Sequence, residues 1–438
     1  MGDAAIQRPK GKNTRWAISS LLCSIIILNY FDRVAIAVAA PELQDSFNLS
    51  ATEIGIVFSI YNYAYTMMQL PIGTMLDKWG VSWITRIGMA VWSILTIIFA
   101  FISGKLLLYL LRFLTGIMSA SAFPAASKAT ANWFPYHERG LANSLFDSAA
   151  KFSNVLGGPL VALLITFYDW RTAFLVLGII NVIFTLIFWS YYDEPGRHKT
   201  ISEEEINYIQ KYGANTSDIP VHRAKDVWKK LFTSRKVWGV TIGFTGYGYT
   251  FNLLLLWLPT YFKEEFQVDL LSSSLLTAIP WLIASITGVA VGGWLVDRLI
   301  QKGHKSNRVY KGIIIIGMLI GFSFLGAIFP SNPILSMVFI SIGLAGISAT
   351  APIGWTIASK ISPPGAQGQT SSIVNFSNNL FGGIIAAALT GYLVDKTGSF
   401  HLSFMIAGAV LAIGLFFYTI VLGDIKTVEF GKTEKESK

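Results

Sequence analysis

Asp32 and Arg33 stand side by side in the apolar run that forms the chain's first candidate membrane span. Charges at that depth are costly in hydrocarbon, so those that persist face protein or a water-filled path and mark function. Asn29 lies one helical turn earlier, so its amide and both charges are expected on one side of the helix. A buried carboxylate beside a cation can load and release a proton, because burial favours its neutral form and the cation its charged form. A guanidinium stays protonated and offers an organic anion a planar fork of donors. Arg112, in the fourth apolar run, is the second arginine placed for this, unless it snorkels to the outer end of its helix. Asp147 and Lys151, spaced i,i+4 in the fifth run, can form a salt bridge or serve separately. Serving separately, Lys151 is a further cation for the substrate and Asp147 a second proton carrier. Tyr30 and the pair Tyr61 and Tyr65 add phenols and ring surface suited to a cavity wall. Tyr249, Asn252, Trp355, Asn375, Asn378 and Asn379 supply comparable groups in the second half. For Asn378 and Asn379, bonding between helices, worth about 0.6 to 2 kcal/mol each, is an equal alternative.

The positioning elements are membrane helices. With 53% hydrophobic residues, 13% charged and a mean hydropathy of +0.53, the 438-residue chain is too apolar for a soluble domain. The net charge of +9 resides in short segments between apolar runs, where basic residues set topology rather than bind nucleic acid. Cys23, the one cysteine, excludes an internal disulfide, and the five histidines show no metal-ligand spacing. No catalytic cluster lies within the apolar runs, so an enzyme is not expected, nor is a metal or cofactor.

Apolar runs near 16–40, 53–76, 84–103, 106–127, 140–167 and 172–192, then 238–262, 272–296, 310–330, 333–358, 368–393 and 400–423, give twelve spans in two sixes. The chain divides into an N-terminal tail (1–15), a six-helix bundle (16–193), a linker (194–236), a second bundle (237–423) and a C-terminal tail (424–438). Lys78, Arg86, Lys128, Arg139 and Arg298 fall on one side and Glu42, Asp45, Glu264 and Glu265 on the other. Tails and linker are therefore expected in the cytoplasm.

An internal repeat supports the two halves. Gly73-Thr-Met-Leu-Asp77-Lys78 follows the second span and Gly293-Trp-Leu-Val-Asp297-Arg298 the eighth, with an echo in Gly391-Tyr-Leu-Val-Asp395-Lys396 after the eleventh. Glycine permits close helix approach, and the Asp and its basic neighbour can make charge-assisted bonds that rearrange between states, a gating role for Asp77, Lys78, Asp297 and Arg298. Equivalent segments in two six-helix halves indicate a parallel-repeat transporter.

With this repeat the chain resembles the major facilitator superfamily. Asn29-Tyr30-Phe31-Asp32-Arg33, Gln69-Leu-Pro71, Arg112-Phe-Leu-x-Gly116, Trp133-Phe134-Pro135-x-x-Glu138-Arg139-Gly140 and Trp257-Leu-Pro259 are similar to its anion:cation symporter family, which includes bacterial carriers of galactonate, glucarate and hexuronates. The resemblance implies alternating access and a bacterial cytoplasmic membrane. The expected partners are a small organic anion and the lipid bilayer, with a proton as coupling ion and the monomer as working unit. It makes Arg112 a carboxylate ligand, sets Arg33 beside a proton-binding Asp32, and matches Tyr30, Tyr65, Trp355 and Asn375 to substrate contacts. Where the family has a fourth-span glutamate two turns past the arginine, this chain carries Ser119, which holds no transportable proton. Sodium coupling, exchange or facilitated diffusion is thus the alternative, and a non-transporting sensor a remote one.

Overall fold

The structure, a computed structural model, describes residues 13–428 except 136–137, 213–223, 330–331 and 364–366. The side chains of Asp77, Asp147 and some further residues also lie outside the description. In hydrocarbon a backbone must satisfy its own hydrogen bonds, and every regular element described is helical. The first half opens with α1 (Thr14–Phe47). Ala51–Phe99 follows as one helical segment reversed at Gly80 (φ 81°, ψ 164°), a conformation only glycine adopts readily, giving α2 (51–77) and α3 (Lys78–Phe99). α4 (Lys105–Thr130), α5 (Arg139–Phe167) and α6 (Trp170–Tyr191) complete it.

The second half contains α9 (Arg235–Phe266), α10 (Leu270–Gln301), α11 (Ser306–Ile328), α12 (Pro333–Ile361), α13 (Gln369–Thr397) and α14 (His401–Val421). Ten of these twelve are long and apolar enough on their own to cross a membrane, and α2 and α9 complete the set. Ile286, Leu186, Ile316 and Met405 stand exposed on the outer wall, as lipid-facing side chains do. The linker is more structured than its composition implied. It forms two short helices, α7 (Glu203–Tyr212) and α8 (Ala224–Thr233), which bury Ile209 against the first half and Leu231 against the second.

Chain direction alternates between successive spans, so the linker and the Gly80 turn share one end of the bundle, here the linker end. The connections near 47–51, 266–270 and 397–401 share the far end. At the linker end the two carboxylates of Glu138 and Glu205 converge on buried Arg15: Nε donates to Glu138 at 2.8 Å and Nη1 to Glu205 at 2.9 Å. Glu205 also accepts the backbone N–H groups of Thr14 and Arg15, closing the start of α1. Between the halves, α2 packs on α13, α5 on α10 and α1 on α9. Asp395 of α13 accepts the N–H groups of Ala51 and Thr52 at 2.8 and 2.7 Å, so the second half caps α2 of the first.

Candidate substrate and proton site

Arg33 and Arg112 are 7% and 4% exposed, which excludes snorkelling in this conformation. Arg33 projects from α1 into three tyrosine rings, its guanidinium carbon 4.9 Å from the centroid of Tyr30, 5.0 Å from Tyr61 and 4.6 Å from Tyr65. Its Nε donates to the Tyr61 hydroxyl at 3.1 Å. Arg112 projects from α4 onto the same Tyr61 ring, 4.4 Å from its centroid. Ring faces attract a desolvated cation without neutralising it. Among the described residues neither guanidinium lies within ion-pair distance of a carboxylate. Arg33 Nη2 and Arg112 Nε are buried with no hydrogen-bond partner.

The expected contact between Asp32 and Arg33 is not made. Consecutive helical residues point about 100° apart, and here that angle sends them into different inter-helix spaces. The Asp32 carboxylate accepts the Trp92 indole N–H, the Thr96 hydroxyl at 3.0 Å and the Asn181 amide at 3.4 Å, from α3 and α6. It remains within electrostatic reach of Arg112. Asn29 follows Arg33: its amide donates to the Ser119 carbonyl at 3.4 Å, and its Oδ1 is buried without a partner. The Ser119 hydroxyl bonds Tyr61 at 2.9 Å.

The other candidates are described by different contacts. The Lys151 side chain is buried where α5 crosses α10, its Nζ 3.1 Å from where a Cβ on Gly288 would stand. Trp355 of α12 packs on Phe244 of α9, ring centroids 4.8 Å apart. Asn375 accepts the Asn379 amide at 3.0 Å within α13. Oδ1 of Asn378 stands where a Cβ on Gly248 would be, which marks a close crossing of α9 and α13. Asp77 and Asp147 lie outside the described side chains. Lys78, Asp297 and Arg298 are exposed, Lys78 and Arg298 resting over Trp79 and Trp294. A groove of about 490 Å³ between α2, α4 and α13 is lined by Ile60, Leu106, Leu110 and Phe113 with no charged group, so it offers an anion nothing.

Sequence reasoning did not anticipate Trp92, Thr96 and Asn181 around Asp32, although polar groups in apolar runs were there to be noticed. It also left Asp395 unassigned, despite its place in the repeat.

Twelve membrane helices in two sets of six, with a buried charged group in the first, are the architecture of a membrane transporter. The model for the Major Facilitator Superfamily matches residues 22–387, and the chain belongs to that superfamily. It is 64% identical to "Uncharacterized transporter YybO" of Bacillus subtilis over 98% of both chains. It is 32% identical to a D-galactonate transporter of Escherichia coli, over 97% of this chain and all of the other. It is also 31% identical to the "Probable sulfoacetate transporter SauU" of Cupriavidus necator, over 92% of each. Among solved structures, a D-xylose-proton symporter superposes with a TM-score of 0.74 at 18% identity, over 94% of this chain and 98% of that one.

Proposed function

We propose that this chain carries a small organic anion, a sugar acid or a related carboxylate or sulfonate, by proton-coupled symport with alternating access. The observation that carries the reading is the pair of buried arginines with unpartnered N–H groups on one tyrosine ring, with a buried carboxylate held separately by neutral donors. The named activities of the galactonate and sulfoacetate relatives support it. In this mechanism the anion binds Arg112 and Arg33, Asp32 carries the proton, and the two halves rock about the site. Tails and linker face the cytoplasm of a bacterial cell, and the monomer is the working unit.

Sodium coupling or exchange is the second reading, favoured by Ser119, whose hydroxyl bonds Tyr61 where a second carboxylate would sit. Uptake of labelled sugar acids and small organic acids into proteoliposomes, with an inward proton gradient imposed or collapsed, separates the two. Accumulation that requires the gradient supports symport, and saturable uptake indifferent to it supports the second reading. Arg112→Ala is expected to abolish binding. Asp32→Asn is expected to keep exchange and lose gradient-driven accumulation, and undiminished accumulation removes Asp32 from coupling.

A further inference from the structure

Resting on the anion-carrier reading, we infer that the ligand carries two negative charges, one for each of the two arginines, so that this transporter prefers a dianion to a monoanion of the same skeleton.

Arg33 and Arg112 reach the site from different helices and offer separate unpartnered donors, Nη2 and Nε. Arg33 Nε is already committed to Tyr61, so only the remainder of that fork faces a ligand. The rings of Tyr30, Tyr61 and Tyr65 hold the Arg33 guanidinium in place but carry no net charge to offset it. Among the described residues the groups facing Asp32 are Trp92 and Thr96 of α3, Asn181 of α6 and Arg112 of α4, with Arg33 its neighbour on α1. The Asp32 oxygens are occupied by the three neutral donors, and when Asp32 carries the transported proton both arginines are left without a counter-charge among the described residues. A buried charge is tolerated when paired. One carboxylate supplies one pairing. Both guanidiniums contact one ring, so the two acidic ends of a single small molecule can reach them together.

The test is equilibrium binding to the purified full-length protein at neutral pH, using matched pairs that differ in one acidic end: D-glucarate against D-gluconate, malate against lactate, sulfoacetate against acetate. Within any pair that binds, the dianion is expected to be tighter by at least about tenfold. Arg33→Gln is expected to collapse that ratio toward one while weakening the monoanion much less, and Arg33→Lys, which keeps the charge, to retain part of it. The wild-type ratio decides by itself, so a variant that fails to fold leaves the test intact. A monoanion that binds as tightly as its dianion overturns the proposal and leaves the carrier reading standing. Absence of binding by every acid in all three pairs overturns both.

Discussion

Gly73, Gly293 and Gly391 each open the same Gly-x-x-x-Asp-basic segment, yet they stand in different company. A Cβ on Gly391, at the far end, would lie 2.2 Å from the Ala51 carbonyl oxygen, and one on Gly55 opposite would lie 2.7 Å from that of Ala387. Around Gly73 and Gly293, at the linker end, a Cβ would meet nothing within 4 Å. The contacts between the halves described above run from the midplane to the far end. Ser59 donates to the Ile384 carbonyl at 2.8 Å, Lys263 pairs with Glu42 at 3.0 Å, and Asp395 holds the start of α2. The polar network of Arg15, Glu138 and Glu205 at the linker end ties α7 to the first half. The two ends are therefore held for different purposes. One set of contacts joins the halves, and the other stiffens one of them. On the alternating-access reading, the first set must break in each cycle and the second need not.

Substitutions at the two ends should then fail in different assays. The largest effect is expected from Arg15→Ala, which leaves two buried carboxylates without their cation and costs about 3–5 kcal/mol. It should lower the thermal stability of the purified protein yet leave the far-end spacing between spin labels on Glu42→Cys and Lys263→Cys unchanged. A changed spacing would show that the linker end participates in gating. Gly391→Val should do the reverse, because a side chain forced against a backbone carbonyl costs about 3 kcal/mol or more unless the halves separate. The label distance should lengthen and uptake fall by at least about tenfold, whereas Gly73→Val should leave that distance as it is. A short distance in Gly391→Val would sink the packing argument.

These contrasts also mark what a single sequence discloses. The twelve spans and their two halves were legible because hydrophobicity is a local signal about 20 residues long. The arginines were legible because a charge in an apolar run is rare. The fate of Asp32 was not. Neighbours on a helix diverge by about 100°, and only packing decides that Asp32 turns to Trp92 while Arg33 turns to Tyr61. The Arg15 network joins residues 123 and 190 positions apart, so no local pattern announces it. Asp395 was visible in the repeat, but the motif alone does not say that this copy caps the start of α2.

Asp395→Asn should act more gently than Gly391→Val. An amide keeps one acceptor oxygen for Ala51 or Thr52 but loses the second bond and the charge at the start of α2. A loss of about 1–2 kcal/mol should shift the far-end equilibrium roughly fivefold to thirtyfold toward opening, read as a second, longer label distance, with thermal stability little altered.

The smallest effect belongs to Lys263→Ala. Its partner Glu42 is 36% exposed and Lys263 27%, so water and salt screen the pair and less than about 1 kcal/mol is at stake. With the labels moved to Glu53→Cys and Lys396→Cys, the far-end opening should rise by less than about fivefold at low salt and be indistinguishable from wild type at high salt. An effect as large as that of Asp395→Asn, persisting in high salt, would mean that the exposed pair, and not the carboxylate cap on α2, holds the far end shut.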